Sequence, residues 1–411
     1  MASWLTINWL TNHLNRVRTK QRHSDQAKQP AWPYTSALYA FIKMKIIIIF
    51  TALIPVLCMA DDIPEVRDIN LDRPVWALNM NDAKWLVPNK ELTDSNKFAF
   101  FSFSNEKTNM SDKPIEQRED NSGRTTRSLP LYLAERINLD TDCSAENHVF
   151  VVKNFGPVVS GKEWDIETLS GLFKEEIPRY FVTGHIKQDY LDLRSKITVK
   201  VWDSKLKREI INISNSSLFS ESQDTASALP MKFLGAIKKD GLCKFSPSIK
   251  YPAPSKKLLA PYLDALGQLL VQTLAENKVV PAESIWGEED MLNWYLTLWE
   301  HQPESDAPKL MYIRGVLASL DYGGIGKEKF VPGLREYLRK SEGNNDVLQM
   351  LSPYIYSKLK NSVACEMQLK ELKKKAAGSY ASWLNSLECK TYNESLNLTG
   401  ARNAPPSKFK H

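Results

Sequence analysis

The stretch YFVTGHIKQDYLDLRSKITVKVWD, residues 180–203, decides the fold. Tyr180-Phe181-Val182 runs through Gly184 into His185-Ile186-Lys187. After a polar turn, Leu191, Leu193, Ile197, Val199 and Val201 alternate with Asp192, Arg194, Lys196, Thr198 and Lys200. Alternation with period two gives a strand one buried and one wet face. Asp203-Ser204-Lys205 reads as a turn, and Ile211 and Ile213 continue on a further strand.

Towards the amino terminus, Phe98-Ala99-Phe100-Phe101-Ser102-Phe103 and Val149-Phe150-Val151-Val152 read as buried strands, since aromatic and β-branched residues suit a pleated surface. Two helices lie among them. One has Ser128 as N-cap and a face of Leu129, Leu133 and Ile137. The other starts near Asp165, presents Ile166, Leu169, Leu172 and Phe173, and is ended by Pro178. Residues 61–96 hold Trp76 and Trp85 without a clear period. Asn105 to Thr126, rich in Asn, Asp, Lys, Glu and Ser, is expected to be an exposed, disordered loop. Beyond the hairpin, Phe233, Leu234 and Ile237 mark a helix whose start or kink is set by Pro230.

Pro252, Pro254 and Ser255 mark a linker, after which the period becomes helical and stays so. Leu263, Leu266, Leu270 and Leu274 line one helix, with Pro261 in its first turn. Met291, Leu292, Tyr295, Leu298 and Trp299 line the next, led by Glu288, Glu289 and Asp290. Leu310, Ile313, Leu317 and Leu320 line a third. Further helices are expected around 330–340, 347–360, 366–375 and 380–387. No repeat of fixed period supports a solenoid.

The first 60 residues differ from the rest. Lys43 and Lys45 precede an apolar run from Ile46 to Leu57, and Cys58-Met59-Ala60 places small residues before Asp61. About a dozen apolar residues make a helix of roughly 18 Å, short for hydrocarbon of about 30 Å. The run therefore reads as a secretory signal beginning at Met44 and cleaved between Ala60 and Asp61. Arg16, Arg18 and Arg22 admit a mitochondrial presequence as an alternative, and Cys58 admits lipidation. The leader carries seven of the 54 basic residues and one of the 48 acidic ones, which leaves 47 of each sign. Without the leader no net charge remains to draw nucleic acid.

Cys143, Cys243, Cys365 and Cys389 remain after the leader, an even number that suits disulfides in an exported chain. Four cysteines allow three connectivities. The division of the chain favours Cys143 with Cys243. A helical hairpin turning at Ala377–Gly378 would join Cys365 to Cys389. Were that segment one helix, the two would stand roughly 36 Å apart and could not bond.

The sequence carries only partial traces of known catalytic and binding motifs. Gly323-Gly324-Ile325-Gly326-Lys327 resembles the end of a phosphate loop, but Asp321 stands where the first glycine belongs and Glu328 replaces the hydroxyl. A helix-ending turn is the better reading. His148, His185 and His301 have no partner at a recognised metal spacing. The lysines of 370–375 read as a solvated helix face. The segment from Trp286 through Trp294 to Trp299 reads as core packing before it reads as a ligand wall. No catalytic, metal-binding or cofactor-binding residue emerges.

Three stretches carry a family resemblance. Phe98-Ala99-Phe100-Phe101-Ser102-Phe103-Ser104-Asn105 is similar to the first strand of the amino-terminal domain of the TolB-like family, related to curli-secretion-lipoprotein-like domains of the bacterial envelope. Ile177 to Lys187 resembles its YVLxGxVR strand, and Ile197 to Asp203 its strand before the hairpin turn. Leu206-Lys207 departs from the family's Thr-Gly. The resemblance spans residues 98–239. It implies a mixed-sheet α/β domain used for protein–protein contact, and no catalytic residues.

The expectation is thus an α+β protein: a leader over 1–60, a mixed-sheet α/β domain over 61–250 with a loop at 105–126, an all-α domain over 255–390, and a disordered tail over 391–411. Its expected role is non-enzymatic binding or scaffolding in the periplasm, with envelope proteins as partners, no cofactor, no nucleic acid and no membrane span after signal removal. The alternatives are an envelope enzyme or small-ligand binder with a pocket between the domains, and an outer-membrane lipoprotein anchored at Cys58.

Overall fold

The computed structural model describes residues 66–389, apart from 89, 91–95, 108–114, 117–120, 153–155, 174–175, 190–193, 219–221, 286 and 344–345. The leader with Cys58, Ala60 and Asp61, and the tail beyond Cys389, lie outside the described residues, as do Leu191, Leu193 and Trp286. The described residues all belong to one compact unit.

The fold is α+β, with a mixed sheet of nine strands: β1 (Val66–Leu71), β2 (Lys97–Phe101), β3 (Ser104–Lys107), β4 (Ile115–Glu116), β5 (Ser144–Val152), β6 (Gly156–Val159), β7 (Tyr180–Asp189), β8 (Arg194–Asp203) and β9 (Arg208–Leu218). The main path runs β4-β6-β5-β2-β7-β8-β9, with β1 added to β5 and β3 to β7. The β2–β5, β2–β7 and β3–β7 pairs are parallel. The β7–β8–β9 meander is antiparallel, as its alternation and short turns require.

Alternation assigns the faces. Phe98, Phe100, Val149, Val151, Val182, Val199 and Val201 enter the main core. Ala99, Phe101 and Phe181 join Ile166 and Leu169 in a smaller cluster on the reverse face, beneath helix α2 (Ile166–Gly171). The Asp165 side chain caps α2 by accepting from Thr168 N at 2.7 Å.

Helices α1 (Asn121–Asp140) and α3 (Ser222–Lys239) cover the front face. Eight more follow: α4 (Lys256–Glu276), α5 (Glu288–His301), α6 (Asp306–Tyr322), α7 (Gly326–Lys329), α8 (Val331–Ser341), α9 (Val347–Lys358), α10 (Ser362–Lys373) and α11 (Gly378–Ser386). Helix α4 is apolar and long enough to cross a membrane, but 72% of its apolar window is buried in the protein. It is a core helix, and α1 packs against it. One continuous apolar cluster therefore runs from the sheet into the helices, across the Pro252–Ser255 segment.

Several boundaries differ from the sequence reading. Helix α1 begins at Asn121, so Ser128 is interior to it and Asn105 to Thr126 is not a featureless loop. Asn105 and Thr126 are buried. The reason is tertiary. Pro130 has no N–H for the carbonyl of Thr126, four residues back, and Phe103 N, in the link between β2 and β3, fills that role at 2.9 Å. The helix thus passes through its proline because the link between β2 and β3 satisfies the freed acceptor. Helix α3 likewise begins well before Pro230, and Pro261 lies just beyond the first turn of α4. Gly323 ends α6 with φ of +79°, as a helix-ending turn requires.

The segment without a sequence period carries much of the core. After β1, two 3₁₀ turns, Val75–Ala77 and Lys84–Leu86, place Trp76, Met80 and Leu86 in the interior. Both cysteine pairs lie at disulfide distance. Cys143–Cys243 and Cys365–Cys389 each have Cα atoms 5.7 Å apart, the second across the α10–α11 hairpin. That hairpin turns at Gly378, with φ of +58°.

Candidate functional site

Two clusters of ionisable groups arise where period and packing force polar side chains inside. The first lies on the reverse face of the sheet. Glu146 and His148 are two residues apart on β5 and so point to one side. Strand β1 pairs antiparallel with β5, placing Asn70 opposite His148, and Asp68 follows two residues before it on the same face. His148 Nδ1 lies 2.7 Å from Asp68 Oδ2, and His148 Nε2 lies 3.3 Å from Glu146 Oε1. Glu146 Oε2 accepts from Asn70 Nδ2 at 2.9 Å and pairs with Lys97 Nζ at 3.0 Å. The imidazole stacks on Phe101 and meets the edge of Phe173, both at centroid distances of 5.1 Å.

Burial alone would lower the His148 pKa, but the hydrogen bonds and charges of Asp68 and Glu146 outweigh it and hold it at about 9. Burial would raise Glu146, yet hydrogen bonds from His148, Asn70 and Lys97 bring it down to about 2. At neutral pH the histidine is therefore an imidazolium donating from both nitrogens. Such a ring has no lone pair for a metal or for accepting a proton. The cluster acts as an electrostatic clasp between β1 and β5.

The second cluster surrounds α1, whose residues 126–140 are all buried. Glu135 accepts from Trp76 Nε1 and from Tyr262 Oη, both at 2.8 Å. Desolvation pushes its carboxyl up to about 7, against the pull of Arg136, Tyr262 and Trp76. Arg136 grips Asp140 with Nε at 2.7 Å and Nη2 at 2.5 Å, and donates to Tyr251 O at 3.0 Å. Asn138 donates to Ala145 O and accepts from Ala145 N, both at 2.8 Å, so its amide extends the end of β5. These groups fasten the sheet, the 3₁₀ turns and α4 around one helix. They are mutually satisfied, as buried polar groups must be.

Elsewhere the expected residues fall into packing or caps. Trp294 Nε1 donates to Pro261 O at 3.1 Å, and the Trp299 ring lies 4.5 Å from that of Tyr337. His185 Nδ1 meets Ser104 Oγ at 2.8 Å, and His301 Nδ1 meets Thr297 O at 2.9 Å at the end of α5. Asp142 joins Cys143 and Cys243 in a grouping of metal-ligand types, but both sulfurs are committed to their disulfide. Lys90 donates to the carbonyls of Ile137 and Cys143 beside it, and burial lowers its pKa to about 8. The sequence reading missed the partners of His148. Glu146 two residues before it was the available signal, while Asp68 lay in the stretch without a period. Compared with family models, curated proteins and solved structures, the chain finds no match in any of the three.

Proposed function

We propose that the protein is an exported, non-enzymatic scaffold of the bacterial envelope that acts through protein–protein contacts in the periplasm. The observation that carries this reading is the outer edge of the sheet. Strand β9 has eleven residues and, among the described residues, pairs only with β8. Helix α3 covers one of its faces, while Asn212, Ser214 and Ser216 point to the other and are exposed. Natural edges are blunted by lysine, proline or a covering loop. The Ile211–Leu218 stretch has neither lysine nor proline. Among the described residues no strand pairs with its outer side, which suits a partner strand.

The compartment rests on further support. Two disulfides are compatible with an oxidising space. The apolar run after Met44 supplies a signal with cleavage at Ala60–Asp61, and acylation at Cys58 would make the chain an outer-membrane lipoprotein instead. The TolB-like resemblance of residues 98–239 agrees with a contact role.

A photo-crosslinking residue placed at Ser214 in cells should yield adducts with envelope proteins, and one at Lys256 should not. Equal labelling from both positions, or none from Ser214, would refute the edge as a contact. Mass spectrometry of the mature amino terminus should find Asp61.

A further inference from the structure

Among the described residues, helix α10 is held from one side only. Cys365 is its single buried residue and is bonded to Cys389. Leu369 and Leu372 lean on the core, and Gln368 Oε1 accepts from Gln349 Nε2 at 2.8 Å. At 100° per residue, Val363, Met367, Lys370 and Lys374 fall in one stripe opposite Cys365. Val363 is 69% exposed and Met367 66%, among the most exposed large apolar side chains described.

The charge around this ridge is one-sided. Residues 358–375 contain Lys358, Lys360, Lys370, Lys373, Lys374 and Lys375 against Glu366 and Glu371. Lys358 pairs with Asp321 and Lys375 with Glu371. Among the described residues, Lys370, Lys373 and Lys374 enter no ion pair. Two apolar side chains make far too small a patch for the core of a protein interface, which buries about 800 Å² per partner. Lysines beside such a pair add attraction to anionic headgroups, so the ridge suits a charged lipid surface better than a protein partner.

We infer that the outer ridge of α10, formed by Val363, Met367, Lys370 and Lys374, seats the protein on an anionic phospholipid surface. The apolar pair enters the headgroup layer and the lysines meet lipid phosphates. The Cys365–Cys389 bond and the Gln368 contacts fix the helix from behind, so the ridge is presented without prior folding. This contact is separate from the β9 edge and stands whether or not that edge binds a partner.

The test is flotation of the purified oxidised chain with vesicles of phosphatidylglycerol mixed into phosphatidylcholine, against phosphatidylcholine alone. The wild type should float with the mixed vesicles and be released by salt. Each lysine near such a surface contributes about a fivefold change in partitioning, so Lys370→Glu with Lys374→Glu should weaken binding by about 25-fold or more. Val363→Ser with Met367→Ser should weaken it about tenfold at unchanged charge. The milder Lys370→Gln should lose about fivefold, and all variants should keep the wild-type melting temperature. Equal binding to neutral vesicles, no binding to either, or retention by the variants would overturn the inference. So would a wild-type dimer in solution that dissociates in the Val363/Met367 variant, which would make the ridge a protein contact.

Discussion

The clasp on β5 makes a quantitative claim about pH. His148 is about 4% exposed, and its pKa rises from 6.5 to about 9 in the folded chain. Because the folded value is raised, the stabilisation is whole below about pH 6.5 and is lost as pH climbs through about 9. Two and a half units correspond to up to about 3 kcal/mol. The Asp68 carboxylate is 39% exposed, so solvent screens its share and about 2 kcal/mol is the expected fall. The perturbation is His148→Gln, which keeps a polar side chain between the carboxylates but cannot take a proton. Urea denaturation with the disulfides intact, at pH 6 and pH 9.5, measures the difference. Wild type should lose about 2 kcal/mol more than the variant over that interval, because all other titrating groups are common to both. Parallel curves would refute the charged clasp, and so would an NMR titration placing the His148 midpoint near its ordinary value.

Three further outcomes follow from other contacts. Glu135 titrates at about 7 when folded because burial disfavours its charge, so its own contribution to stability is whole below about pH 4.5 and is lost towards 7. Glu135→Gln should therefore gain about 2 to 3 kcal/mol relative to wild type between those pH values by denaturant titration, and a constant difference would contradict it. The Cys143–Cys243 bond spans 100 residues and Cys365–Cys389 spans 24. Replacing the first pair by serine should cost about 5 kcal/mol and the second about 3, and the reverse order of melting temperatures would count against the loop-entropy account. Gly184 lies directly beneath the Phe103 ring, which a methyl group at that position would penetrate. Gly184→Ala should cost about 1 to 3 kcal/mol in a thermal melt, and Phe103→Leu with Gly184→Ala should recover part of it.

The meander was legible because one of its faces is apolar, and period two survives without knowledge of the partner. Helices such as α4 and α5 were legible because their apolar residues recur at helical spacing. What stayed hidden depends on contacts distant in sequence. Strand β1 reads as polar, and it is a strand because it borrows the edge of β5. Strand β3 is short and charged, and its pairing with β7 is carried by the backbone. Helix α1 showed a single face, although residues 126–140 are buried on every side, and its own Glu135, Arg136 and Asn138 find their partners only after folding. The clasp was half visible, since Glu146 and His148 are neighbours in the strand pattern, whereas Asp68 comes from a segment with no pattern.

The interior turns after β1 have a consequence for timing. Leu78 O accepts from Arg314 Nε at 2.8 Å, Asn79 O from Tyr354 Oη at 2.8 Å, and Met80 O from Trp383 Nε1 at 3.2 Å. An early part of the sequence is thus completed by one of the last, 303 residues later. The turns after β1 cannot complete these bonds before the rear has been synthesised, since loop closure over such spans precedes its reward. A polypeptide released before its final helix would leave the Met80 carbonyl without its indole donor, so the front of the molecule is fastened last.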